Sequence, residues 1–218
     1  MADPNFTFNL PAGAVHSLSG NYNGSRITPR VLERAEAALG EPLPPSLRAW
    51  LLQYGDRCIL PGGGNFLMLG LFPDADEPSI TNGRQHYRDM GWPIDEQFIV
   101  LGRDSDGSLF ALYTRQSVED EYPVILIDRE NPDSDRPYLL LAHDFAGFVN
   151  SYLSFEIWRS ATETADEETD HGDQERDMAA MLCQTWNPRI APETLLDTHD
   201  YERYCSRREL DRLVRPAR

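Results

Sequence analysis

Residues 98–114 read FIVLGRDSDGSLFALYT, two short runs of apolar and aromatic residues on either side of Arg103-Asp104-Ser105-Asp106-Gly107. Apolar runs of this length bounded by turn formers are strand signals. Aspartate side chains bond to nearby backbone N–H groups, and Gly107 can take the positive φ that closes a turn. The stretch therefore predicts an antiparallel hairpin with strands over 97–102 and 108–114.

Working outward, 66–72 precedes this hairpin as a further strand, and 123–128 and 138–142 follow it, joined through the polar stretch 129–136. The last three connections lack the dozen or more helical residues that a parallel crossover needs, so the strands form an antiparallel meander. Upstream, Thr28 is a capping residue and Pro29 suits a first turn. Val31, Leu32, Ala35, Ala38 and Leu39 share one helical face, and Gly40 terminates it. A second helix follows Pro44 and Pro45, with Leu47, Trp50, Leu51 and Tyr54 as its buried stripe and Gly55 as its stop. Downstream, Asp144 caps an amphipathic helix carrying Phe145, Phe148, Val149, Tyr152 and Leu153. The fold class expected is α+β: a mainly antiparallel sheet of about five strands packed against helices, with a partly irregular, acidic and helical C-terminal extension.

The domain organisation expected is an irregular lead-in over 1–25, an α+β domain over 26–160, an acidic connector over 161–177 and a helical extension over 178–218. The connector rests on seven acidic and no basic residues between positions 163 and 175. The extension carries two helical patterns, around 178–186 and 201–214. Its arginines Arg203, Arg207, Arg208, Arg212, Arg215 and Arg218 are expected to pair with the connector, which supplies opposite charge at high effective concentration.

The chain carries 36 acidic and 20 basic residues, a net charge of -16, and every basic residue is arginine. Such a field repels nucleic acid and anionic membranes and steers a basic protein inward. No basic stretch followed by an apolar run opens the sequence and no apolar stretch approaches bilayer length, so neither a secretory signal nor a membrane span is expected. The cysteines Cys58, Cys183 and Cys205 form no disulfide framework. A cytoplasmic protein is the expectation.

Catalytic chemistry finds little support. A Walker A loop, a dinucleotide-binding glycine fingerprint, HExxH and GxSxG are all missing. The Gly62-Gly63-Gly64 run precedes a strand and lacks the lysine and helix of a phosphate loop. Asp104-Ser105-Asp106-Gly107 opens like a calcium loop, but Phe110, Ala111 and Leu112 resume the strand where further oxygen ligands would be needed. Cys183, His199 and Cys205 lack zinc-ligand spacing, and His143 beside Asp144 belongs to a helix start. No catalytic residue, cofactor or metal is expected, and the chain is read as a non-enzyme.

What remains is acidic and aromatic. Asp74, Asp76 and Glu77 form one acidic set, Glu119, Asp120 and Glu121 a second, and Asp128, Glu130, Asp133 and Asp135 a third, each in or beside a loop. Together they are the candidate partner-binding face, with rim charges speeding association. Tyr87, Trp92 and Tyr113 are the candidate anchors, because these side chains combine large contact area with a polar handle.

The order of these segments resembles the SMI1/KNR4 family of the SUKH superfamily. The matching pieces are Ala35-Glu36 and Leu39-Gly40 in the first helix, LPPSLRAWLLQYGD at 43–56, FIVLGRDSDGSLFALYT at 98–114, PVILIDRE at 123–130 and AHDFAGFVNSYL at 142–153. The resemblance covers roughly 26 to 158. It implies helices packed against a largely antiparallel sheet and a protein-binding scaffold whose motifs serve the fold. Carried over, Leu43, Pro44, Leu47, Leu51 and Gly55 set the second helix. Gly102, Asp106 and Gly107 set the hairpin, and Phe145, Phe148 and Leu153 the last core helix. Bacterial members are frequently immunity proteins, which implies an antitoxin that binds a cognate toxin, such as a basic nuclease, and blocks its active site. Fungal members regulate cell-wall synthesis, so a cytoplasmic regulatory adaptor is the alternative. Residues after about 160 lie beyond this pattern, as a recognition extension or a lid over the core.

Overall fold

The computed structural model describes residues 6–10, 14–17, 27–60, 66–74, 77–115, 117–129, 135–163, 172–186, 192 and 204–214. Its centre is one sheet of seven strands in chain order, every neighbouring pair antiparallel. The strands are β1 (His16–Ser17), β2 (Cys58–Leu60), β3 (Phe66–Met68), β4 (Phe98–Arg103), β5 (Leu109–Tyr113), β6 (Val124–Ile127) and β7 (Tyr138–Ala142). The expected meander is β3 to β7. Two short strands extend it at one edge, where β2 brackets Cys58 and β1 lies in the lead-in.

The β4–β5 hairpin closes as its residues dictate. Asp104 accepts from the Ser108 N–H at 2.8 Å, Gly107 donates to the Asp104 carbonyl at 3.3 Å, and Gly107 has φ 94°. A bulge at Leu101 shifts the β4–β5 register between Val100 and Gly102, and a second bulge interrupts β6–β7 pairing beside Val124.

The helices begin and end where the caps lie. The first, α1 (Pro29–Leu39), has the Thr28 hydroxyl accepting from the Val31 N–H and Gly40 in the left-handed region at φ 79°. The second, α2 (Pro45–Tyr54), ends at Gly55. Glu36 of α1 ties the two, accepting from the Leu43 N–H at 3.0 Å and pairing with Arg48. A short helix not legible in the sequence, α3 (Gly83–Asp89), precedes β4. After β7 one helical path runs through α4 (Phe145–Gly147), a π-helical segment (Phe148–Leu153) and α5 (Ser154–Glu163), opened by Asp144, which accepts from the Gly147 N–H at 2.5 Å.

In the extension, α6 (Gly172–Trp186) and α7 (Arg207–Leu213) are helical. Helix α5 reaches into the stretch read as a connector from one side and α6 from the other. A capping box starts α7, with the Ser206 hydroxyl toward the Glu209 N–H and the Glu209 carboxylate accepting from the Ser206 N–H at 2.8 Å.

Every residue of β5 and of β6 is buried. Side chains alternate across a strand, so this sheet is covered twice. On one face Phe110 meets Phe66 at 5.1 Å and Phe148 at 5.5 Å, and behind them Trp50 meets Phe145 at 5.9 Å and Phe8 at 5.2 Å. Helices α2 and α4 and the π-helical segment form that layer. The lead-in joins it through Asn150, whose side chain accepts from the Asn9 N–H at 2.7 Å and donates to the Thr7 carbonyl at 2.9 Å. On the other face, α3 comes so close that a Cβ on Gly83 would lie 3.3 Å from Val100 Cβ, and α7 covers Tyr113.

Gly102 marks the closest approach of β4 to β3. A Cβ there would stand 2.4 Å from the Leu67 carbonyl oxygen and 2.7 Å from the Phe66 ring. Gly102→Ala is therefore expected to lower stability by about 1 to 3 kcal/mol, read as a fall in the urea midpoint.

Candidate functional site

The second acidic set sits on the β5–β6 connection, which folds back as a tight turn. Val118 and Glu121 exchange backbone hydrogen bonds at 3.1 and 3.0 Å, leaving Glu119 and Asp120 as the two tip residues. Both are left-handed, at φ 55° and 64°. That is the backbone of a two-residue hairpin turn, which favours Asn-Gly; a Glu-Asp tip is held there at a cost of order 1 kcal/mol per residue.

Glu121 leaves the turn and points inward to the start of α2. Pro44 offers no capping side chain, and Glu121 takes that role from a distance. It accepts from the Ser46 N–H at 2.7 Å and the Ser46 hydroxyl at 2.5 Å, and the Phe145 N–H at the start of α4 also turns to it. One carboxylate thus satisfies orphan donors of two helix starts. Burial pushes its pKa up to about 7; the bonds from Ser46 act against that, and the neighbouring Asp144 charge adds to it.

Around this junction lies a cleft of about 490 Å³ lined by Phe6, Pro45, Glu119, Glu121, Asp144, Ala146, Gly147 and Asn150. Its charged groups are all carboxylates, and no Ser, Cys, His or Lys is in the lining. The positive ends of α2 and α4 meet Glu121 and Asp144, while Glu119 and Asp120 stay exposed at the rim. Both Glu121 oxygens face Ser46, so the fold holds this group in place. The arrangement suits an incoming guanidinium or ammonium group.

The other expected site residues are dispersed. Asp74 and Glu77 lie near Arg57, at 3.6 and 3.9 Å, which offsets their charge. Asp128 is buried beside the sheet and Asp135 is exposed. Asp76, Glu130 and Asp133 lie outside the described residues. Of the aromatic anchors, Trp92 is half-buried and edge-on to Tyr87 at 6.1 Å. Tyr87 and Tyr113 are buried, at 6% and 0% exposure, Tyr113 under α7 with its hydroxyl donating to Asp211; neither is a surface anchor in this conformation. A second cavity of about 360 Å³ lies between α3 and β3, lined by Arg57, Arg103, His86, Tyr87, Glu77 and the exposed Met90 among others.

Sequence reading marked Asp144 as a cap but missed that it shares a cleft with the 119–121 turn, 23 positions away in the chain at its nearest. It also placed the tail arginines against the connector. Arg207 instead pairs with Asp95 of the core at 3.2 Å, because α7 packs on the sheet. Arg203, Arg215 and Arg218 lie outside the described residues.

The three cysteines are free and buried. Among the described residues, no group of three or more His, Cys, Asp or Glu side chains is placed to hold a metal ion, and no helix is long and apolar enough to cross a membrane.

An antiparallel meander backed by capped helices, with a carboxylate cleft where two of them start, defines an α+β domain that carries a negative recess. The model of the SMI1 / KNR4 family (SUKH-1) matches residues 26–151, more than half of the 218-residue chain, and the chain belongs to that family. A search of curated proteins found no match.

Two outcomes check this geometry. In the unfolded chain Glu121 ionises near its ordinary 4.5. Between about 4.5 and 7 the folded protein keeps a proton that the unfolded chain releases, so this group lowers stability as pH rises through that window. Glu121→Gln retains an acceptor for Ser46 and is expected to flatten that slope in urea titrations run across the window. Replacing Glu119→Asn together with Asp120→Gly relieves the left-handed tip and is expected to add about 1 kcal/mol, a rise of about 2 to 4 °C in Tm.

Proposed function

We propose that the chain is a cytoplasmic immunity protein that binds a basic cognate toxin, with a nuclease as the leading toxin class, and blocks its active site. The observation that carries this reading is the carboxylate cleft at the α2 and α4 starts with its exposed Glu119-Asp120 rim. A net charge of -16 steers a cationic partner toward it, and membership of the SMI1/KNR4 family gives the protein-binding context.

The mechanism is occupation. A nuclease surface that receives phosphates presents arginines and lysines, and carboxylates at the cleft rim engage the same groups. The half-buried Phe6 and Ala146 in the cleft wall supply apolar contact beside the charges, and such contact slows dissociation more than rim charge does.

The test pairs the chain with the product of a toxin gene next to its own. Binding in a pull-down and rescue of growth on toxin expression are expected; binding without rescue would assign a regulatory adaptor instead. Glu119→Lys with Asp120→Lys, leaving the structural Glu121 intact, is expected to lower the association rate about tenfold or more at low salt. The difference should shrink at high ionic strength. An unchanged low-salt rate in stopped-flow measurements removes this rim from the interface.

A further inference from the structure

The opposite side of the sheet carries a second feature, built around one arginine. Arg207, at the start of α7, lays its guanidinium 4.4 Å from the Phe98 ring centroid, 4.5 Å from that of Tyr113 and 5.9 Å from that of Tyr138. Its N–H groups donate to Asp95 at 3.2 and 3.3 Å and to the Gln97 side chain. Three aromatic faces, a carboxylate and an amide around one guanidinium form an arginine box. Phe98 and Tyr138 are stacked at 5.5 Å, and the Tyr138 hydroxyl is anchored on the Pro93 carbonyl at 2.7 Å, so the walls are held from within the domain.

Next to the box, the backbone before α7 forms one antiparallel bridge with β7. β7 is an edge of the sheet. Cys205 donates to the Tyr138 carbonyl at 2.7 Å, and Tyr138 donates back to the Cys205 carbonyl at 3.3 Å. This is the start of strand addition, in which backbone bonds to an open edge position a ligand and a side-chain pocket selects it. Asp211 completes the contact, accepting from the Tyr113 hydroxyl and from Arg115 at 2.7 Å.

Box and occupant have different provenance in the chain. Asp95, Gln97, Phe98, Tyr113 and Tyr138 all lie inside the family match over 26–151, whereas 204–214 lies outside it. The occupant is attached through a long stretch of chain after α6, and inside 204–214 the side chains that seat it are Tyr204, Cys205, Leu210 and Val214, all buried.

We propose that the β7 edge and the Phe98–Tyr113–Tyr138 box are a recognition site for an extended, arginine-bearing segment of a partner protein, which the chain's own residues 204–211 occupy in its resting state. The tethered occupant sits at high effective concentration, so a partner arginine binds when α7 lifts away. The site is separate from the carboxylate cleft, on the other face of the sheet, and stands whether or not that cleft binds a toxin. It also gives Tyr113 an anchoring role, exposed by release of α7.

The test uses the full chain and a fluorescently labelled peptide with the sequence of residues 204–214, followed by anisotropy. The wild-type chain, its box filled in cis, is expected to bind the peptide at least tenfold more weakly than the Arg207→Ala chain does. A peptide that itself carries Arg207→Ala should lose at least tenfold on that chain, as should the intact peptide when Asp95→Asn is added to it. Equal binding by the two chains, or by the two peptides, overturns the proposal. Hydrogen exchange on the unmodified chain is read independently of how Arg207→Ala folds. The Cys205 and Leu210 amides should exchange far faster than that of Leu112 in β5, and equal protection would make α7 a permanent part of the core and overturn the proposal.

Discussion

A sheet whose central strands carry apolar side chains on both faces has to be covered twice, and most of this molecule follows from that requirement. β5 and β6 leave no residue exposed. The α2–α4 layer with Trp50, Phe145 and Phe148 closes one side. The other is closed by α3 and by a helix brought from the far C-terminal region. Without α7, Phe98, Tyr113 and Tyr138 would lose the cover that Arg207 and its neighbours provide. The sheet therefore depends on the extension to cover this face.

The chain has 20 arginines and no lysine, and the structure uses many of its arginines internally. Arg48 pairs with Glu36, Arg57 lies by Asp74 and Glu77, Arg84 pairs with Glu41, and Arg207 pairs with Asp95. A planar guanidinium can bond and stack at once, which an ammonium cannot match, and Arg207 does both. Part of the acidic excess meets at one cleft, where helix starts hold Glu121 and Asp144 and a left-handed turn tip leaves Glu119 and Asp120 exposed. The pH sensitivity of Glu121 and the negative recess beside it thus share one cause, a carboxylate drawn from a loop to the start of α2, which lacks a side-chain cap of its own, next to the Asp144 cap of α4.

Much of this was legible residue by residue. Thr28, Gly40, Gly55, Asp104, Gly107 and Asp144 announce the ends of elements through bonds made within a few positions of themselves, and each appears in its expected role. The strands β4 to β7 were visible as dense apolar runs. β1 and β2 were not, since strands of 2 and 3 residues are too short to show an alternating pattern, and β1 is a strand only through its pairing with the distant β2. Helix α3 was hidden for a similar reason: GRQHYRD has no apolar stripe, and it is helical because Gly83 and Tyr87 dock on the sheet.

The amino-acid sequence by itself determined the net charge of -16 and, because propensity, capping and turn chemistry act over a few residues, the class of fold and the order of its main strands and helices. Tertiary structure alone decided which carboxylates are offset by an arginine, which one caps two helices and which remain at a rim. It also decided that Arg207 belongs to an aromatic box and not to an acidic connector. Those outcomes depend on groups tens of positions apart meeting at one point, and only the double covering of the sheet brings them there.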